Sequence, residues 1–229
     1  MAELSTSVIS QVMRTSLNHW LPLAERVGVR GDVAGWHQSL MKAYGEPQRA
    51  YHTLQHLEEC LRVLDEVREF MQQPDLIEMA LWFHDAVYDP SSGNNEALSA
   101  GLAMEALGGA ATAREVARLI MLTKSHVPGD GPEDAWIIDI DLAIFAMSPE
   151  RVAEYECQIR EEYAWVPFEV YREKRAEVLR DFLNREPIYH SSWACEHFEA
   201  AAKGNLRRLI SAACSHQLPS ATDAMGAMF

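Results

Sequence analysis

The sequence predicts an all-α, single-domain protein. Apolar residues recur at helical spacing along nearly the whole chain, and alternating strand patterns are nearly absent. Proline, glycine and capping residues divide the helical stretches into ordinary globular lengths. No repeat, linker or low-complexity block interrupts them, and 229 residues of 48% hydrophobic content suffice for one well-buried core. The expected domain is 1–218, with its core at about 30–190, and the small, polar tail 219–229 is expected to be disordered.

A first amphipathic helix is expected over about 4–26, carrying Val8, Val12, Leu17 and Leu21, with a break at Pro22. Gly31-Asp32 opens a second, with Val33, Trp36, Leu40 and Tyr44 on one side and Gly45-Glu46-Pro47 as its stop. The third should run from about Ala50 to Met71, and the fourth from Pro74-Asp75 into His84-Asp85. Asn94-Asn95 offers caps for a helix reaching Gly108-Gly109, and Thr112 for the next, through to His126. Glu133 to Ala146 follows. Ser148-Pro149-Glu150 starts another helix with cap, proline and acid in the expected order. Pro167 and Pro187 bracket a helix over about Phe168 to Asn184, and Trp193 to Cys214 forms the last.

The formal charge of −14 argues against a nucleic-acid duplex or an anionic membrane as partner, because the field of the whole protein repels both. A phosphate-bearing small molecule remains compatible, since a local metal inverts the sign inside a cleft. The four cysteines are widely spaced without a C-x-x-C pair, which reads as reduced thiols. The opening Met-Ala-Glu-Leu-Ser-Thr-Ser-Val has no basic start and no apolar signal core, and apolar runs such as Trp136-Ile137-Ile138 are broken by Asp139 and Asp141. A cytoplasmic protein is therefore expected.

One stretch carries the chemistry. In Ala80-Leu81-Trp82-Phe83-His84-Asp85 an apolar run ends on an adjacent His-Asp pair, a costly placement unless something pairs both side chains. A divalent metal would, because imidazole nitrogen and carboxylate oxygen are ordinary ligands for Zn, Mn or Fe. His52 and His56 stand four apart, the spacing by which one helix face presents two imidazoles to one centre. Leu119, Ile120 and Leu122 deliver Thr123 and His126 to a helix end, and Asp139 and Asp141 lie inside a second apolar run. One metal centre explains these burial violations more simply than separate accidents do.

In this order the residues resemble the HD-domain metal-dependent phosphohydrolases. Tyr51-His52-Thr53-Leu54-Gln55-His56 is similar to the Tyr-His-Asn-x-x-His opening of the cyclic-nucleotide phosphodiesterases, which share that fold. Phe83-His84-Asp85 matches the defining pair, and Asp139-Ile140-Asp141-Leu142 resembles the segment with the last ligand. The chain as a whole is more similar to an uncharacterised bacterial branch of predicted HD phosphohydrolases, over roughly residues 30 to 190. The resemblance implies an HD-type helical bundle binding a divalent transition metal (Mn, Zn, Fe, Co or Ni; one ion or two). His56, His84 and Asp85 would be ligands, with Asp141 preferred over Asp139 for the fourth.

The same resemblance makes His52 a general acid that protonates the leaving alkoxide, beside Asp85 in the catalytic set. Glu96 would orient the attacking water or act as base. His126 would ligate a second metal or donate to the phosphate, and Arg175, in a rare basic cluster, would hold a substrate phosphate. The implied reaction is hydrolysis of a phosphate mono- or diester of a nucleotide or other small metabolite by a metal-activated water. A homodimer is also an expectation. Two alternatives stand beside this: a di-iron oxygenase on the same fold, and a non-catalytic metal-stabilised ligand-binding module.

Each residue has a plainer reading too. His52 would only support another group, Glu96 would be a first-turn acid favoured by the helix dipole, and Asp139 and Asp141 would be caps. Arg172, Lys174 and Arg175 would form a solvated face paired with Glu169, Glu173 and Glu177.

Overall fold

A computed structural model describes residues 13–214. Val8, Val12 and the tail from Pro219 lie outside the described residues. The described chain is all-α and carries no strand. Its helices are α1 (Leu17–Val27), α2 (Val33–Tyr44), α3 (Leu54–Val67), α4 (Pro74–Phe83), α5 (Asn95–Ala106), α6 (Ala111–Leu122), α7 (Asp134–Asp141), α8 (Pro149–Glu162), α9 (Phe168–Leu183), α10 (Ser192–His197) and α11 (Glu199–Cys214). Short 3-10 turns extend α3 and α7.

Helix α4 is the hub. Every residue from Ile77 to Phe83 is buried, as an all-round apolar helix must be, and it packs on α1, α3, α5, α6 and α7. Pro74 at its first turn lacks only an N–H that no helix could use. Trp82 meets the Trp20 ring edge-on at 5.1 Å, and the Trp20 indole N–H donates to the Val33 carbonyl, tying α1 and α2 to the hub. The one acid on this buried stretch, Glu78, pairs with Arg68 at 2.6 Å. Rigid burial of α4 fixes where His84 and Asp85 emerge.

Several boundaries differ from the sequence expectation for identifiable reasons. Pro22 sits inside α1 without breaking it. Helix α3 begins at Leu54, not Ala50, with Thr53 as its cap, because the amides of Ala50, Tyr51 and His52 bond to a distant carboxylate. His52 is thus not on the helix that carries His56. Helix α6 starts without a side-chain cap and stops at Leu122, and His126 adopts a left-handed φ of 51° that no helix tolerates. The last expected helix is two, with α10 capped by the Ser191 hydroxyl.

Candidate metal centre

The C-terminal end of α4 presents His84 and Asp85 opposite His56 on α3 and Asp141 at the end of α7. His84 Nε2 lies 3.1 Å from His56 Nε2 and 2.9 Å from Asp85 Oδ2. Asp141 Oδ1 is 3.2 Å from His56 Nε2 and 3.6 Å from His84 Nε2, and Asp85 Oδ2 is 3.6 Å from His56 Nε2. Donor atoms about 2.1 Å from one metal lie about 3.0–3.4 Å apart at octahedral or tetrahedral angles. The observed spacings fall around that range.

The donor chemistry fits as well. His84 Nδ1–H donates to the Leu81 carbonyl at 2.7 Å, which orients the ring and leaves Nε2 as the atom facing the cluster. Both imidazoles are almost wholly buried, at 2% and 1% exposure for His56 and His84. Burial opposes charge on His84, but the facing carboxylates, Asp85 foremost, outweigh it and raise its pKa well above the ordinary histidine range. Burial likewise disfavours ionised Asp85 and Asp141. Histidines overcome it, chiefly His84 at Asp85 and the His126 hydrogen bond at Asp141, so both stay anionic. Two anions and two imidazoles converging in an apolar setting suit a divalent transition cation.

Cys60 stands behind His56, its sulfur 3.8 Å from Nε2. Among the described residues, the side chains able to hold an ion form two groups that share His56: His56, His84 and Asp85, and His56, Cys60 and Asp141. Burial pushes the Cys60 thiol well above its ordinary pKa in the absence of a cation.

Asp139, the other candidate for the fourth ligand, is directed elsewhere. Its two oxygens accept backbone N–H groups of His190 and Ser191 at 2.8 and 2.7 Å, so it organises the entry to α10. Arg175 is also directed elsewhere: its guanidinium is buried against Glu156 at 2.9 Å and over the Tyr155 ring, and it lines a separate apolar cavity. With its charge neutralised there, the expectation that Arg175 holds a substrate phosphate is not carried by the structure. Of its neighbours, Arg172 and Lys174 pair with Glu169 and Glu177, as a solvated face does.

The remaining candidates share one cavity of about 280 Å3 with the cluster. His52, Asp85, Glu96, His126 and Asp141 all line it, together with Tyr88, Phe145 and Phe182. His126 Nε2 meets Asp141 Oδ2 at 3.1 Å. Glu96, in the first turn of α5, faces Lys124 at 3.6 Å.

Two residues that the sequence reading missed hold this wall together. Glu162, at the end of α8, accepts the amides of Ala50, Tyr51 and His52 on Oε1 at 2.8–3.0 Å. Its Oε2 accepts the Tyr88 hydroxyl at 2.8 Å and faces His52 Nδ1 at 2.7 Å. Burial would raise the Glu162 pKa, but the His52 hydrogen bond and charge reverse this and hold the carboxyl at about 2. Burial in turn opposes protonated His52, and the Asp85 charge and the Glu162 hydrogen bond raise its pKa nonetheless. Arg49 is the second: its guanidinium donates to the carbonyls of His52, Asp85 and Ala86, fastening the His52 turn to the loop after α4.

Comparisons with family models, curated proteins and solved structures return no match.

Proposed function

We propose that this protein is a metal-dependent phosphohydrolase of the HD-domain kind, acting on a phosphate mono- or diester of a nucleotide or other small metabolite. The observation that carries the reading is the gathering of His56, His84 and Asp85, with Asp141 Oδ1 3.2 Å from His56 Nε2, at the wall of a cavity of about 280 Å3. A divalent metal held by these four residues would supply a Lewis acid that activates water and neutralises a phosphate oxygen. The cavity is at the small end for ligand sites, which supports a metabolite over a polymer.

The chain's own residues contribute the proton. His52 commits Nδ1 to Glu162, so Nε2 is the nitrogen available to the cavity that it lines. The buried Glu162 carboxylate favours the imidazolium, and a charged His52 can protonate a leaving alkoxide as the ester bond breaks. A bound metal would cancel much of the Asp85 charge, leaving Glu162 as the partner that keeps this proton in place. Tyr88 stacks on the His52 ring at 4.0 Å and limits its rotation.

Asp141 divides its oxygens between the cluster and His126, as a carboxylate shared by two ions does. This favours a second reading in which two metals bind. Two irons with oxygen consumption would move the protein to the oxygenase class.

No helix of the described residues is long and apolar enough to cross a membrane. Cys60, Cys157 and Cys195 are free thiols, which supports a reducing compartment, the cytoplasm.

A panel of phosphate mono- and diesters, with Mn, Co, Ni or Zn supplied, tests the reading. Hydrolysis is expected, with His52→Gln lowering kcat about 10²–10⁴-fold for alkyl esters and far less for p-nitrophenyl esters, whose leaving group needs no proton. A metal-loaded protein that cleaves nothing on the panel would contradict it and favour a binding module.

A further inference from the structure

Lys124 is the sole lysine or arginine among the described residues that line the cavity. It lies two residues past the end of α6, and its ammonium is not free: Glu96 Oε2 lies 3.6 Å away and the Gly93 carbonyl accepts from it. Glu96 stands in the first turn of α5. The other carboxylates of the lining, Asp85 and Asp141, belong to the histidine cluster. Beyond the cluster and His52, whose charge Glu162 balances from behind, the fixed charge of the wall is therefore one cation cancelled by one anion.

Most neutral polar groups nearby are already engaged, the unpartnered Tyr51 hydroxyl excepted. Asn95 bonds to the backbone of Asp89 through both ends of its amide, the Thr123 hydroxyl donates to Ile120, and Ser92 Oγ accepts the Asn94 amide. Other cations close to the site are turned to backbone carbonyls: Arg49 to those of His52, Asp85 and Ala86, and Arg185 to those of Ser125 and His126. The rest of the wall is apolar or aromatic, including Leu142, Ile144, Phe145, Phe182 and Tyr163.

We infer that the Lys124–Glu96 pair makes this cavity selective for ligands with one phosphate group and a neutral remainder, and rejects diphosphates and triphosphates. The inference rests on the phosphohydrolase reading for the position of the scissile phosphate, at the cluster. Each added phosphate brings about one to two further negative charges. Those charges would leave water for a wall whose one ammonium is already matched, under the field of a chain with formal charge −14. Glu96 is thus a specificity-determining residue, and its charge excludes a second anionic group.

Inorganic phosphate and inorganic pyrophosphate, titrated calorimetrically into manganese-loaded protein with the bound metal counted after each titration, test this. Phosphate should bind at least as tightly as pyrophosphate. Glu96→Gln frees the ammonium and should shift the ratio about tenfold toward pyrophosphate. Lys124→Gln removes it and should weaken both anions, pyrophosphate more, which keeps the test intact if the first variant does not fold. Pyrophosphate binding tenfold tighter than phosphate in the unaltered protein, an unchanged ratio in both variants, or no binding of either anion would overturn the inference. A protein that hydrolyses no ester yet shows these ratios would lose the phosphohydrolase reading and keep this one.

Discussion

Asp141 reaches His126 with the oxygen that it does not turn to the buried histidines: Oδ2 lies 3.1 Å from His126 Nε2, while Oδ1 lies 3.2 Å from His56 Nε2. His126 manages this from a left-handed backbone position just past α6, against the edge of Phe182. A ligand carboxylate gripped on its second oxygen is held in one orientation.

His126→Ala should therefore weaken metal binding about 10–100-fold while the fold persists. Asp141→Asn, which removes an anionic donor, should lose the metal altogether. Competition against a chelator of known affinity measures both. Equal affinity for His126→Ala and the unaltered protein would show that Asp141 needs no such support.

Asp139 and Asp141 should separate cleanly. Asp139→Asn replaces one of two amide acceptors by a donor facing backbone N–H groups, and should cost about 1–3 kcal/mol of stability. Metal content should not change. Loss of metal with an unaltered melting temperature would reverse the assignment of the two acids.

Glu162 sets an acid limit on stability. Its folded pKa, about 2, lies below the ordinary 4.5, so the native state binds this proton less readily than the unfolded chain does. Its contribution, about 3 kcal/mol, is complete above pH 5 and is lost as pH falls from about 4.5 toward 2. Glu162→Gln should lower the melting temperature by about 6–12 °C at pH 7, and the gap should narrow steadily below pH 4.5. A gap that stays constant from pH 7 to pH 3 would mean that the carboxylate charge is not what matters.

The helices and the histidine–carboxylate cluster were largely legible because they follow local rules. The run into His84 is too apolar to end on two polar groups without a reason, and Ser148-Pro149-Glu150 starts α8 where cap chemistry puts it. What could not be read depends on contacts between distant segments. His52 and Glu162 are 110 residues apart, and the three amides that Glu162 binds have no side-chain signature. One signal existed: an acid closing a helix opposes the dipole and wants a compensating partner. Asp139 and Asp141, two positions apart on α7, point about 200° apart around its axis, so both could not serve one cluster. Which of them faces the histidines is set by the His190–Ser191 turn, which the local pattern around α7 does not encode.

The central claim is the metal centre itself. Elemental analysis of protein purified without chelators or a His-tag, beside His84→Ala and His56→Gln checked for folding by melting, tests it most directly. At least one equivalent of a divalent transition metal, lost in both folded variants, is the predicted result. A sub-stoichiometric metal, or one that survives both substitutions, would contradict the account.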